Sequence, residues 1–256
     1  MNKTVKKLLK IVACVAFWVG VWTVLSLSVN KSVILPSPIS TVKKLWELLG
    51  TGGFYASFLS SLGRVFAGFL TGTVIGAALA ALSHIGGEFM ISPAISVVKA
   101  TPVASVIIVL LFFIRREVVP VAATLLMVTP IIYANVLNGI RSVPKENREV
   151  AKVYGFGFGK MMKYCVFPSV LPYFSAGAKT AVGIAWKAGV AAEVLCTPKT
   201  SIGSALWDAK TYLESEELFA WTLTVIILSM VIEKLLTVGI SKIGGKKSNA
   251  EAEKRL

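Results

Sequence analysis

Six apolar stretches, separated by short polar segments, run along the 256 residues of this chain. Each stretch reaches the roughly 20 residues that an α-helix needs to cross the hydrocarbon core of a bilayer. The pattern therefore predicts an all-α, polytopic membrane protein in which residues 1–256 form a single transmembrane domain. The predicted spans are 8–29, 57–82, 89–114, 118–137, 173–195 and 218–240.

The polar segments between the spans predict short elements at the membrane surface. Leu35–Pro38 interrupts the chain after the first span, and Ser40 is expected to cap an interfacial helix that ends near Leu49. A second surface segment, residues 198–217, precedes the last span, and the tail after Gly244 is expected to fray. The first span also resembles the core of a signal peptide, but its length and the lack of a small-residue cleavage pair favour an uncleaved helix.

Small residues recur every four positions in the second span, at Gly68, Gly72, Gly76 and Ala80. This spacing places them on one face of a helix, where they form a groove that lets another helix approach closely. Such a groove fits a moving helix contact and also fits fixed, tight packing. Arg64, near the outer end of the same span, is expected to extend its charge to the lipid headgroups.

Polar and charged residues lie inside two of the predicted spans, where placing them in the membrane costs free energy. A lysine at the centre of an apolar helix costs about 2.5–3.5 kcal/mol, so Lys99 and Lys187 are expected to face protein or water. For Lys187 and Glu193, on the same helix, two alternatives stay open: a part in a solute pathway, or structural ion pairs with another helix. The residues assigned to a translocation pathway are Lys99, Thr101, Pro102, Trp186, Lys187 and Glu193.

The longest polar interruption, residues 139–172, is basic and glycine-bearing, and it is too polar to cross a bilayer. Asn147 is expected to cap a short helix whose apolar side chains repeat at spacings of three and four residues. Three glycines then end the helix, because glycine permits unusual backbone angles. The segment therefore predicts a surface helix and hinge held between two spans. Its defining residues are Glu149, Val150, Ala151, Val153, Tyr154, Gly155, Gly157, Gly159 and Pro168.

This segment resembles the EAA loop of ABC importer permeases, which has the pattern E-A-A, three residues, G, nine residues, I-x-L-P. The matching positions are Glu149–Ala151, Gly155 and Cys165–Pro168. Three of these positions depart from the literal letters but keep small or apolar side chains. The resemblance implies a type I ABC importer permease, in which a cytoplasmic coupling helix docks into a groove of an ATPase subunit.

Further stretches resemble the same permeases. Leu35–Pro38 carries the family's L-P-S-P, while Lys99–Ala104 and Ala185–Glu193 resemble its nitrate, sulfonate and taurine branch. The resemblance implies a homodimer in membrane lipid, two ATPase subunits and an external solute-binding protein. It also implies that ATP and magnesium bind to the ATPase and that this chain holds no cofactor. In agreement, the sequence has no G-x-x-x-x-G-K-[ST] phosphate-binding loop.

Composition and charge narrow the class further. The chain is 55% hydrophobic and only 16% charged, unlike a soluble domain. Its net charge of +14 does not indicate nucleic acid, because the basic residues are concentrated at the termini and in residues 139–172. The positive-inside rule therefore places both termini and this loop in the cytoplasm. The resemblance implies that the membrane is the bacterial cytoplasmic (inner) membrane. Three dispersed cysteines, one histidine and one aspartate predict no metal site.

The resemblance to this branch implies a transport subunit that moves a small anion, such as taurine, an alkanesulfonate or nitrate. A thiamine precursor or another small organic cargo is an alternative within the same class. A membrane-embedded enzyme that uses Lys187 and Glu193 as an acid–base pair is a second hypothesis, and it requires turnover by the chain alone. An adaptor that only anchors a partner would tolerate neutral changes at Lys99, Lys187 and Glu193.

Overall fold

The computed structural model describes the backbone of residues 3–253 and the side chains of residues 9–10, 12–235 and 238–239. Within these ranges the regular secondary structure is helical, which confirms the predicted all-α class. Two π-helical turns, Ser83–Gly87 and Met162–Val166, precede the helices α4 and α9. The α-helices are α1 (Lys3–Val29), α2 (Pro38–Leu49), α3 (Gly52–Leu82), α4 (Glu88–Ala100), α5 (Val103–Leu110), α6 (Val119–Arg141), α7 (Lys145–Val153), α8 (Phe158–Met161), α9 (Phe167–Cys196), α10 (Ile202–Thr211) and α11 (Ser215–Glu253).

Helix α6 forms the centre of the fold, with α3 packed on one side and α9 on the other. The main core joins Val65 of α3, Ile132 and Val136 of α6, and Ala185 and Trp186 of α9. More than half of the residues of α6 are buried, whereas the apolar stretch of α1 has none buried. Trp186 and Glu193 of α9 and the glycines of the α3 groove therefore lie in the best-packed part of the molecule.

The predicted small-residue groove of α3 is where α6 makes its closest approach. A Cβ atom added at Gly68, Gly72 or Gly76 would lie only 2.6–2.9 Å from a backbone carbonyl oxygen of α6. The Thr129 hydroxyl crosses the same contact and donates a hydrogen bond to the Gly72 carbonyl, at 3.4 Å. The two backbones can approach this closely because the glycines have no side chains.

We expect Gly76→Ala to destabilise the α3–α6 contact by about 1–3 kcal/mol, because the added methyl group overpacks it. The measurement is thermal unfolding of the purified protein in detergent. Gly63→Ala is the matched control, since it lies on the same helix and its added Cβ would meet no atom within 4 Å. Equal unfolding temperatures for the two variants would contradict the role given to the groove.

The predicted third span, 89–114, is not one helix. Helix α4 ends at Ala100, Thr101 is extended with ψ 127°, and α5 starts at Val103. Proline lacks a backbone N–H and disfavours helical angles at the residue before it, so Pro102 forces the break. The expectation of a continuous helix was wrong, and the break lies in the middle of the segment.

Four stretches of the described residues are long and apolar enough to cross a membrane: Val12–Val29, Gly52–Ala100, Val119–Arg141 and Ser215–Leu235. The second stretch covers the predicted second span and part of the third, and Gly86 kinks it with φ +127°. Helix α9, which contains the predicted fifth span, is 30 residues long but carries Lys179, Lys187 and Glu193. These charged side chains lower the hydropathy of α9, which is therefore not one of the four stretches although the helix lies in the core.

Several predicted boundaries shift. Ser37, rather than Ser40, caps α2, because its side chain accepts the Ser40 N–H at 3.1 Å and Pro38 occupies the first turn. The backbone of α11 stays helical to Glu253, so the tail after Gly244 continues the helix instead of fraying at that point. The outermost residues of the two predicted cytoplasmic termini, 1–2 and 254–256, lie outside the described range.

Helix α2 is fastened to the start of α11 by an ion pair. The Lys44 ammonium lies 3.2 Å from the Glu217 carboxylate. This hydrogen bond raises the pKa of Lys44 above its ordinary value, against a smaller opposing effect of burial. The Trp22 indole of α1 also donates to the Pro36 carbonyl, at 3.1 Å. The surface segment after the first span is therefore held at two points, Pro36 and Lys44.

Candidate functional site

Helix α7 is the short surface helix that the sequence predicted, but its first residue differs. It begins at Lys145 after Pro144, so Asn147 lies inside the first turn and does not cap it. Its end is a closed turn in which the Gly155 N–H donates to the Lys152 carbonyl at 3.0 Å. The Phe156 N–H donates to the Ala151 carbonyl at 2.8 Å in the same turn. These two bonds form a Schellman motif, which satisfies carbonyl groups that the helix end leaves free.

Gly155 is the residue that this turn requires. Its φ of +62° lies in the left-handed region, which costs other residues about 1–2 kcal/mol. Gly157 and Gly159 have negative φ and precede or lie within α8, so the motif makes no comparable demand on them. Pro168 occupies the first turn of α9, where its missing N–H is harmless.

The two faces of α7 differ sharply in exposure. Ala151 is buried against Val143 and Cys165, which fixes the helix to the turns around it. On the other side, Val150 is 52% exposed, Val153 84% and Tyr154 75%. These three side chains, with the exposed Glu149, form what we call the α7 surface. Exposed apolar side chains grouped on a fixed element are typical of a protein interaction site.

A second polar site lies at the far end of α9, where Glu193 is completely buried. One carboxylate oxygen accepts the Ser61 hydroxyl at 2.6 Å and the Gly203 N–H at 3.3 Å. The other oxygen accepts a guanidinium N–H of Arg64 at 3.1 Å. We call Ser61, Arg64, Glu193 and Gly203 the Glu193 network. Each of its donors points at a charge that would otherwise be costly to bury.

The Glu193 network also fastens the turn between α9 and α10 to α3. Arg64 donates to the carbonyls of Lys199 and Thr200, at 3.0 and 3.3 Å. Thr200 has φ +51°, a conformation that β-branched residues rarely adopt, so the turn needs such support. A Cβ at Gly203 would lie 2.3 Å from the Glu193 side chain, so only glycine lets α10 start this close.

The pairing of Arg64 with Glu193 was the feature that sequence reasoning missed. Arg64 does not extend to the headgroups as expected, because its side chain is only 14% exposed and is engaged by Glu193. The available signal was an arginine and a glutamate, each near the outer end of a predicted span. Opposite charges at the same depth in a membrane protein are expected to pair.

The pathway residues of α9 occupy separate environments. Trp186 is buried, and its indole N–H donates to the Val225 carbonyl of α11 at 3.2 Å. Lys187 is exposed, whereas Glu193 is enclosed by its network. The structure therefore does not join Lys187 to Glu193 as an acid–base pair, and it buries the side chains of Trp186 and Glu193 in the core.

The remaining pathway residues lie at the break between α4 and α5. Lys99 and Pro102 are exposed and Thr101 is half-buried, with its hydroxyl donating to the Val97 carbonyl at 2.8 Å. Non-helical backbone at membrane depth is tolerated where it is covered by protein or lines a water-filled cavity. Across the described residues, His, Cys, Asp and Glu do not form a group able to hold a metal ion.

The comparison with known families decides the class. Residues 72–241 match the family described as binding-protein-dependent transport system inner membrane component. This chain belongs to that family. The matched range contains α6, α7, α9 and α10, and therefore the α7 surface together with Glu193 and Gly203 of the Glu193 network. The resemblance to ABC importer permeases is confirmed, and the chain is a multi-pass component of a membrane transport system.

Named relatives place the permease in one branch of the family. It is 28% identical over 221 residues to SsuC of Bacillus subtilis, a permease protein named for aliphatic sulfonates, across 85% of this chain and 78% of that protein. It is 31% identical over 225 residues to the nitrate import permease NrtB of Synechococcus elongatus, across 81% and 78%. The bicarbonate permease CmpB of the same species is 28% identical over 205 residues, across 74% and 72%.

A solved amino acid ABC transporter crystallised with histidines shares the fold of the permease. Its TM-score is 0.60 at 14% identity, and the match covers 76% of this chain and 93% of that one. The family implies an ATPase subunit and a solute-binding protein as partners of the permease. Because the relatives are transport subunits, the hypothesis of a membrane-embedded enzyme was wrong.

Proposed function

We propose that this permease is the membrane subunit of an ATP-driven importer of a small oxyanion, working as a homodimer. Its α7 surface is the coupling helix that receives the motion of an ATPase subunit. ATP and magnesium bind to that partner, and an external binding protein delivers the anion. The observation that carries the proposal is the exposed apolar side of α7 on a helix fixed by the Gly155 turn.

A rigid lever needs a fixed attachment and a free contact surface, and α7 has both. Ala151 attaches the helix to Val143 and Cys165. The carbonyls at its end are closed by two hydrogen bonds, so the helix moves as a unit with the turn that leads into α8. Val153 and Tyr154 stay free for the partner. Apolar and aromatic anchors of this kind supply most of the energy of protein interfaces.

The orientation follows from charge. The segment between α6 and α9 is strongly basic, and the positive-inside rule places such a segment on the cytoplasmic side, where ATP is present. Both termini then lie in the cytoplasm, and the turn fastened by the Glu193 network lies outside. The basic residues at the end of α6 and in the segment are Arg141, Lys145, Arg148, Lys152, Lys160 and Lys163.

Two lysines support a polar pathway between two copies of the chain. Lys99 lies about 16 Å along α4 from Glu88, and Lys187 about 13 Å along α9 from Cys196. Both are exposed in one copy, and a lysine at that depth does not face lipid without cost. A second copy and a water-filled path between the two would cover them, and their charge suits an anion.

The cargo class rests on the relatives. Sulfonates, nitrate and bicarbonate, for which those permeases are named, all carry a negative charge shared by oxygens. We therefore propose nitrate, bicarbonate or a sulfonate such as taurine as the cargo. The binding protein selects among them outside the membrane.

The test is ATP-dependent uptake by proteoliposomes that contain the permease with its co-purified ATPase and binding protein. We expect uptake of at least one of nitrate, bicarbonate, taurine and an alkanesulfonate. Lys187→Gln should lower that uptake about tenfold or more without releasing the ATPase, because it removes a charge from the path. Lys31→Gln, an exposed lysine after the first span, is the control. Uptake that proceeds without ATP, or none of any anion, would refute the proposal.

A further inference from the structure

A groove lies beside the end of the bundle that carries α7 and α8, and the proposed function assigns it no role. It has a volume of about 470 Å³, within the range of ligand sites in proteins. Its wall is almost wholly apolar, with Lys163 as its charged member. The groove lies between α3, α6 and the start of α9, and its walls include Ala77, Ala81, Val136, Ile140 and Val170.

The groove reaches into the part of the fold that the membrane surrounds. Ala77 lies about 7 Å along α3 from Leu82, and Val136 a similar distance along α6 from Arg141. Lys163 lies instead in the π-helical turn that leads into α9. The apolar wall thus extends along membrane helices while the charge lies at their ends. This is the arrangement of a lipid, which has an apolar chain and a polar headgroup.

An adjoining groove of about 200 Å³ shares Ala81 and Ile140 with the first. Arg148 and His84 line it, and Arg148 is held in place by donating to the Ile140 carbonyl at 3.3 Å. Among the described residues, no acidic side chain forms part of either wall. Basic residues next to a bilayer attract anionic lipid headgroups, at about 1 kcal/mol for each lysine or arginine.

We propose that this groove binds one acyl chain of an anionic phospholipid, with the lipid phosphate at Lys163. The inference rests on the proposed orientation, which places the groove in the cytoplasmic leaflet. No residue of the α7 surface lines either groove, so the lipid and the ATPase occupy different parts of the segment. The lipid would brace the π-helical turn through which the motion of α7 reaches α9.

The experiment is native mass spectrometry of the full-length purified chain in detergent, with equal amounts of phosphatidylglycerol or phosphatidylcholine added. We expect a phosphatidylglycerol adduct that exceeds the phosphatidylcholine adduct. Lys163→Gln should weaken it about fivefold, which corresponds to about 1 kcal/mol. Ala81→Trp, which fills the groove wall, should abolish it. The matched controls are Lys199→Gln and Ala67→Trp, both exposed and towards the other end of the bundle.

Three results would overturn the proposal. One is equal binding of both lipids that Lys163→Gln leaves unchanged. Another is an Ala81→Trp variant that keeps its lipid but loses its second copy, which would make the groove a dimer contact. A third is the same variant keeping its lipid but failing to co-purify with the ATPase from membranes, which would make the groove part of the coupling surface. Lipid binding is measured on the chain alone, without ATP or the ATPase. A failure of the lipid proposal can therefore be distinguished from a failure of the proposed transport function.

Discussion

Arg64→Ala is expected to lower the free energy of unfolding by about 3–5 kcal/mol, a large part of the stability of a typical domain. Glu193 would keep its carboxylate in the core with only Ser61 and Gly203 as donors. The turn at Thr200 would lose the guanidinium that binds its carbonyl. The measurement is thermal or denaturant unfolding in detergent, followed by the fluorescence of the buried Trp186 and its neighbours.

A second substitution distinguishes the lost charge pair from lost packing. Glu193→Gln keeps an oxygen that accepts from Ser61 and Gly203 but removes the charge, so it should partly rescue Arg64→Ala. The double variant is expected to be more stable than Arg64→Ala alone, because no uncompensated charge stays buried. Additive losses in the double variant would show that Arg64 acts only by packing and that the ion pair contributes nothing.

Replacing Val153 and Tyr154 together by aspartate is expected to weaken ATPase binding about 30-fold or more, and to abolish uptake, while the chain itself stays folded. Two exposed apolar anchors would be lost, and hot-spot residues each contribute about 2 kcal/mol or more to an interface. The aspartates would also place unpaired charge in the contact. The measurement is co-purification of the ATPase with the tagged permease, with uptake in the same membranes.

The control for this variant is Tyr212→Asp, because Tyr212 is a tyrosine of nearly the same exposure, 74%, at the other end of the molecule. It should keep the ATPase. A Gly155→Val variant tests the turn separately, since its φ of +62° is strained for valine and the α7 surface would be displaced. If Tyr212→Asp released the ATPase as fully as the α7 variant, the location of the contact would be wrong.

The features that the sequence predicted correctly, the end of α7 and the glycine groove of α3, depend on residues close together in the chain. The end of α7 was foreseen because Gly155 follows an apolar repeat, and a residue with positive φ is needed there regardless of the rest of the fold. The glycine groove of α3 was visible for the same reason, since spacing alone places Gly68, Gly72 and Gly76 on one face. The start of α7 was wrong because both Pro144 and Asn147 can precede the first turn of a helix. In the structure the helix starts directly after Pro144.

Long-range and membrane-depth features were less predictable. Arg64 and Glu193 are 129 residues apart, so their pairing depends on how α3 and α9 pack around α6. Pro102 was noted in the sequence, but proline kinks some membrane helices and breaks others, and the local pattern does not distinguish the two. Lys187 and Glu193 were grouped by proximity in sequence, yet six residues on a helix turn them towards different sides.

The most direct test of the coupling surface is photo-crosslinking from position 154 in native membranes, with a benzophenone amino acid in place of Tyr154. That side chain is 75% exposed and aromatic, so the replacement fits without disturbing the core. The account predicts one main product, which contains a P-loop ATPase and disappears when Val153 is changed to aspartate. A product that contains only the external binding protein, or no protein partner at all in an active transporter, would contradict it.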